Sequence, residues 1–352
     1  MSDKPPQFGN YPVTDDASQY QRMPAEDNAE HFQDHAGLFL WGTAGEVDLF
    51  FAVTMYHVGG RKWGFADGAF NQSILLITPN GREGRVMGDN SFVSNRMDPM
   101  RRFEFKETVE KDRVVWQAGK RSISFSAPTW EVRGEHFGVE LDMKFTAEGP
   151  PVPYHGDWAG MVERGGVAGN EVICHGEGTC KHGGVTYRLE SGYGVRERTF
   201  LGKRFDVPSL LGVGLGYLWN WTFAKEIKVF YFSQGGSGHH AGRVFLKDRT
   251  IDFTGEQTTT EVLETWTDPL THETKATRLR VRMKSDRGEL DLEINTWRRM
   301  IFGFHLLEAY TTHTGKAGRA TGRFTLPDGS TIAIDDEICY MEHGFATPNI
   351  AA

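Results

Sequence analysis

An internal repeat constrains this chain more than any other feature. Ala44-Gly45-Glu46-Val47-Asp48-Leu49-Phe50-Phe51 reads like Ala224-Lys225-Glu226-Ile227-Lys228-Val229-Phe230-Tyr231. Val132-Arg133, six residues and Glu140-Leu141-Asp142-Met143 read like Val281-Arg282, six residues and Glu289-Leu290-Asp291-Leu292. His155 follows Asp142 by 13 residues and His305 follows Asp291 by 14. Gly178 through Glu197-Arg198 then matches Gly322 through Glu342-His343, with one extra residue at Pro327. Four blocks in the same order, the last three about 150 residues apart and the first 180, describe a duplicated domain and not a solenoid of short repeats.

The segments inside the repeat read as strands. Val47–Val53 and Ser73–Thr78 are short apolar, β-branched or aromatic runs, and Pro79-Asn80-Gly81 after the second is a turn signal. Arg113–Ala118, Ser122–Phe125 and Val139–Phe145 alternate apolar and polar residues, which sends successive side chains to a core and to water. Glycine, 42 of 352 residues, and aromatics, 12%, suit strands joined by tight turns. Helical periodicity is weak, and its best stretch, 208–218, is broken by glycines. The expected fold is all-β: two tandem antiparallel barrels or sandwiches, since closure removes exposed strand edges and a barrel of about eight strands holds one small ligand. Residues 1–36, polar and aperiodic, read as a tail or wrapping arm, 37–208 as the first domain and 209–352 as the second.

Several function classes lack their signatures. The net charge of −8 with interspersed signs carries no basic patch for nucleic acid. There is no apolar run of transmembrane length and no apolar core in the N-terminal segment, so a cytoplasmic location is the default expectation. Three cysteines do not make a disulfide framework and read as small buried hydrophobes. No dinucleotide fingerprint, phosphate loop, zinc-protease helix motif or Gly-x-Ser-x-Gly elbow occurs. No metal is expected: His239 and His240 are adjacent in a strand and point apart, and Cys174, His175, Cys180 and His182 fit no standard zinc spacing. The oligomeric state is left open, and an exposed apolar patch would argue for a homodimer.

Three clusters set titratable groups among aromatics, where partial desolvation tunes them for proton transfer near neutrality. They are Tyr154-His155-Gly156-Asp157-Trp158, Gly192-Tyr193-Gly194-Val195-Arg196-Glu197-Arg198 and Ile338-Cys339-Tyr340-Met341-Glu342-His343-Gly344. Candidate catalytic groups are His155, Asp157, Glu197 and Arg196, followed by Glu342 and His343. Candidate substrate-binding groups are Tyr154, Trp158, Tyr193, Trp219, Trp221 and His305. Trp219 and Trp221, two apart on a strand, share a face. Arg196 lies on the opposite strand face from Glu197. The competing reading makes both glutamates barrel-closing hydrogen-bond acceptors and the tryptophans core.

The pattern His155-Gly156-Asp157-Trp158-Ala159-Gly160, then Gly176-Glu177-Gly178-Thr179, then Gly192 through Gly202 resembles the two-domain lipocalin-like proteins. These include carotenoid 1,2-hydratase, AttH-like proteins and the fungal decalin-forming Diels–Alderases. Arg196 and Glu197 match the Arg-Asp of the family's third block. Arg198 stands where the family has His and Phe200 where it has Trp, so the carboxylate is kept and the imidazole is not. The resemblance implies chemistry without an organic cofactor: hydration, dehydration, cyclisation or isomerisation of a hydrophobic substrate such as an isoprenoid or polyketide. A carboxylic acid or histidine would move the proton and aromatic walls would stabilise a developing cation. The alternative is a carrier that holds an apolar ligand and does no chemistry.

Overall fold

Two-residue alternation is the local cause of the architecture. A computed structural model describes residues 30–79, 92–99, 101–153, 167–202, 216–234, 239–269, 272–305 and 309–348. Among these there are strands and single 3₁₀ turns but no α-helix. The first sheet holds β1 (Phe32–Ala44), β2 (Val47–Gly60), β3 (Phe65–Pro79), β4 (Phe92–Met97), β5 (Lys106–Glu110), β6 (Arg113–Ala118), β7 (Arg121–Ser126), β8 (Thr129–His136), β9 (Val139–Ala147), β10 (Val152–Pro153), β11 (Val167–His182) and β12 (Val185–Leu201). The second holds β13 (Tyr217–Phe223), β14 (Lys228–Gln234), β15 (His239–Phe245), β16 (Thr250–Phe253), β17 (Thr258–Thr267), β18 (Thr274–Ser285), β19 (Gly288–His305), β20 (Ala309–Thr325) and β21 (Thr331–Pro348).

The first sheet runs β4-β3-β2-β1-β12-β11-β9-β8-β7-β6-β5, and the second β16-β15-β14-β13-β21-β20-β19-β18-β17. Without β5, β6 and the short β10, the two orders coincide strand for strand. In each, neighbours in sequence pair as meanders and the first strand closes against the last. Both sheets curl into antiparallel half-barrels, two tandem lipocalin-like domains. The repeat blocks fall on equivalent hairpins: β1–β2 with β13–β14, β8–β9 with β18–β19, and β11–β12 with β20–β21. The duplication extends to a defect in the ladder. Register shifts at Gly176/Gly178 and again at Ala320/Gly322. A Cβ on Gly178 would lie 2.2 Å from the Asp142 carbonyl, and one on Gly322 2.1 Å from that of Asp291, the residue that repeats Asp142. Only glycine permits that backbone approach, so the bulge explains both glycines.

Each unit has its own core. Strand β9 alternates buried and exposed along its length, and Leu141, Met143 and Phe145 join Leu38, Leu40, Phe51, Trp116 and Trp130 inside the first half-barrel. Ile227, Val229, Leu279, Val281, Leu292, Phe324 and Met341 fill the second. The strands nearest the closure are buried on both faces: Phe50, Ala52 and Tyr56 on the far side of β2 are as enclosed as the core residues beside them. Strand β1 starts at Phe32, so residues 32–36 of the expected tail belong to the first sheet. Their polarity hid this, because Asp34 is buried against Arg198 at 2.8 Å and His35 against Glu197. The expected domain boundary near 208 lies outside the described residues, as does most of the glycine-broken stretch 208–218. No helix among the described residues is long and apolar enough to cross a membrane.

Candidate functional site

The repeated glutamate on β21 organises a polar cluster on the face of the second sheet that turns away from its core. Alternation puts Cys339, Met341 and His343 inside and Tyr340 and Glu342 outside. Three cross-strand rows then line up on the outer face: Trp221-Tyr340-Ala317-Arg298, Trp219-Glu342-Gly315-Met300 and Tyr217-Gly344-His313-Phe302. Two members are glycines, and they make room. A Cβ at Gly315 would lie 2.3 Å from the Tyr340 hydroxyl, and one at Gly344 would lie 2.5 Å from the Tyr217 ring. Both tyrosines therefore lie across the sheet and reach Glu342.

Tyr340 donates to Glu342 Oε2 at 2.9 Å, and Tyr217 donates to Oε1. Since the Tyr217 proton goes to the carboxylate, its oxygen accepts from His313 Nδ1–H at 2.9 Å. His313 Nδ1 is also 3.5 Å from Glu342 Oε1, and its ring stacks on Phe302 with centroids 4.7 Å apart. Trp219 meets Tyr340 edge to face at 5.1 Å, and Trp221 packs on Phe230 and Phe245. Burial alone would raise the Glu342 carboxyl, but His313 and then the two tyrosines outweigh it and hold the group below the usual carboxylate range. The cluster is thus an ionised, buried carboxylate with two phenolic donors and an imidazole in series, set in an aromatic surface.

The equivalent face of the first sheet carries a simpler pair. His35 Nε2 lies 2.6 Å from Glu197 Oε1, with Gln33 Nε2 at 3.3 Å from the other ring nitrogen. His35 also tilts against Tyr56, whose hydroxyl donates to Gln72 at 3.2 Å. Glu171 stands directly opposite Glu197 on β11 and Gly37 opposite it on β1. Tyr193 is half-buried in a row with Trp41 and His175 on the same face.

Two candidates fall on the other side of their strands. Arg196 points into the first half-barrel, its guanidinium 4.9 Å from the Trp130 ring, and Arg198 lies 4.2 Å from Trp116. His343 points into the second half-barrel, where burial and then the charges of Lys316 and Lys275 push its imidazole down to about 3. Arg196 and Glu197 therefore do not share a site, nor do His343 and Glu342. Tyr154, His155, Asp157 and Trp158 lie outside the described residues, and so does the side chain of His305. Sequence reasoning missed Tyr217, His313 and His35. The one signal for them was the repeat, which marked the glutamates but not the strands that would face them. The three cysteines are free and buried; burial raises all three thiols, Cys180 to about 12.

No protein-family model matches the chain, and no curated protein matches it in sequence. Solved structures do match. A candidate AttH protein from Nitrosomonas europaea is similar over 95% of this chain and 98% of its own, with 12% identity and a TM-score of 0.50. CghA is similar over 99% of this chain and 96% of its own, with 12% identity and a TM-score of 0.60. At this identity the likeness is one of fold, and the fold is the one the repeat and the motif resemblance predict: two lipocalin-like β domains in tandem.

Proposed function

We propose that the chain is a cofactor-independent lyase or isomerase acting on a hydrophobic small molecule, an isoprenoid or polyketide in type. The observation that supports this is the Glu342 cluster: a buried carboxylate kept ionised by His313, Tyr217 and Tyr340 beside Trp219. An ionised carboxylate out of water is a base that accepts a proton from carbon or from attacking water. Tyr217 donates to Glu342 and accepts from His313 Nδ1–H, so the three groups hold the carboxylate ionised and ready to take that proton. The aromatic rings beside it would stabilise positive charge developing on the substrate. His35 and Glu197 form a second acid–base pair that could serve the same chemistry in the other half.

The test begins with native mass spectrometry and solvent extraction of the purified protein. A co-purified terpenoid or polyketide supplies the substrate class to assay. Turnover should fall more than about 100-fold in Glu342→Gln while binding of the same compound persists. Recovery of the compound unchanged after incubation, or equal turnover in the variant, would refute the catalytic reading; the first result is what a carrier gives.

A further inference from the structure

The interior of the second half-barrel holds a buried amine that the reaction proposed above does not use. Alternation on β20 sends Thr314 and Lys316 inward, and Lys316 lies between Arg299 on β19 and Met341 on β21. Lys275 reaches the same region from β18 and donates to Thr314. Both lysines are buried, and a buried charge needs a partner. The carboxylates at hand are already engaged. Glu273 lies 2.7 Å from the Lys275 amine and Asp268 lies 3.0 Å from the Arg299 guanidinium. Lys316 donates to the Ala276 carbonyl at 2.8 Å and has no carboxylate within ion-pair distance among the described residues. Glu342 attracts it from the outer face of the same sheet.

Charge balance then decides the form of the amine. As an ammonium, Lys316 leaves three cations, with Lys275 and Arg299, against the two carboxylates Glu273 and Asp268. As a free amine it leaves two against two. Burial, then the charge of Lys275, accordingly hold its pKa down at about 7. His343, one row further along β21, is depressed by burial and by the same two lysines. The remaining inward neighbours are uncharged: Trp266 on β17, 5.1 Å from the Arg299 guanidinium, and Asn220 on β13 beside Met341.

A neutral, desolvated amine is a nucleophile, and the enclosure selects its electrophile by size. Lys316 has no exposed surface, which shuts out a carbonyl compound of substrate dimensions. Carbon dioxide has three atoms, no charge and no need of a hydrogen-bond partner. The sheet edge offers it a way in. Strand β17 pairs with β18 alone, and its ladder slips at Val262/Glu264 and again at Glu264/Thr265, next to the Trp266–Lys275 pair. An interrupted ladder at an edge opens locally at low free-energy cost. We propose that Lys316 is a carbon dioxide site, reversibly carbamylated on Nζ. The amine lone pair forms an N–C bond to the carbon, one C=O π pair moves onto oxygen, and the nitrogen releases one proton to water: an amine and carbon dioxide give a carbamate and a proton. The carbamate lies between Lys275 and Arg299 in charge. Protonation of His343, freed of the Lys316 charge, then sets three cations against three anions. The inference is independent of the reaction proposed above.

The full chain, equilibrated in a closed tube with ¹³C-bicarbonate at pH 8, should show a carbamate resonance by ¹³C NMR. The resonance should fade at pH 6, where Lys316 is protonated, although dissolved carbon dioxide is then more abundant. It should be absent in Lys316→Met, whose surface amines and N-terminus are unchanged and whose fold is checked by circular dichroism. Because the carbamate forms on the folded chain, bicarbonate should raise the urea midpoint of the native protein at pH 8 over chloride of equal ionic strength. The expected gain is at least about twofold in the folding constant, about 0.4 kcal/mol, and it should vanish at pH 6. That reading needs no variant. No carbamate resonance at pH 8, or one equally strong in Lys316→Met, would overturn the proposal. Bicarbonate that stabilises the chain equally at pH 6 and pH 8 would overturn it as well.

Discussion

Gly315→Ala is expected to destabilise the second unit, and by an amount the geometry bounds. The added Cβ would sit 2.3 Å from the Tyr340 hydroxyl and 3.0 Å from Met300 Cγ, so the tyrosine must leave Glu342. Losing a hydrogen bond to a buried charged group costs about 1.5–3 kcal/mol. Alanine recovers about 0.4–1 kcal/mol by restricting the unfolded chain, since Gly315 is not among the positive-φ glycines. The net is a loss of about 0.5–2.6 kcal/mol. The assay is urea unfolding followed by tryptophan fluorescence, with each transition fitted separately because the chain has two units. The decisive measurement is the same substitution made in Tyr340→Phe. Without the hydroxyl the nearest ring carbon is 3.1 Å away, a gap a small ring shift can absorb, so alanine should become neutral or slightly stabilising. A cost that is the same in both backgrounds would refute the claim that Gly315 exists to admit Tyr340. So would a neutral Gly315→Ala in the native sequence.

Glu342 is held below its ordinary range, so its contribution is present at neutral pH and lost as pH falls through its folded value; Glu342→Gln should flatten the acid limb of stability against pH, read from urea midpoints. Burial, then Lys275, pushes the Lys316 amine down to about 7 against the pull of Glu342. A depressed base costs stability at low pH and the cost fades as pH rises from about 7 towards the unfolded value, so Lys316→Met should be stabilising at pH 6, on the order of 1–4 kcal/mol, with the advantage shrinking by pH 10. Cys174, Cys180 and Cys339 should resist a thiol-specific disulfide reagent in the native protein and all react in urea; rapid native labelling would contradict their burial.

What the sequence disclosed was local. Val139–Ala147 alternates, and a period of two needs no knowledge of distant strands. The repeat located equivalent hairpins because turns and bulges are encoded within a few residues, as Gly178 and Gly322 illustrate. The partners of the glutamates were not legible, since Tyr217 and Glu342 are 125 residues apart and His35 and Glu197 are 162 apart. Those pairs depend on which register the first strand adopts when it closes on the last, and nothing near either residue fixes it. Polar residues at 33–35 were misread as tail for a related reason. A buried polar residue looks solvated until its partner is known, and Asp34's partner is Arg198.

The two halves show what a duplicated sheet can change and what it cannot. Glu197 and Glu342 occupy the same ladder position, but Glu171 stands opposite the first and Gly315 opposite the second. Gly37 and Trp219 reverse that on the other flank. Space for two tyrosines therefore arises on the outer face of the second sheet, while the first keeps a single imidazole on its carboxylate. The inner neighbours differ just as much. Arg196 and Arg198 lie over Trp130 and Trp116, and at the equivalent positions of the second sheet are Met341 and His343, with Lys275 and Lys316 supplying the buried charge. A buried cation must carry its compensation with it, as Arg198 carries Asp34 and Trp116, so these interiors could diverge only as sets. The backbone answers to fewer constraints, and both a strand order and the bulge at Gly178 and Gly322 recur in the two halves. Chemistry specific to one half is then expected wherever glycines open the outer face, which is where Glu342 sits.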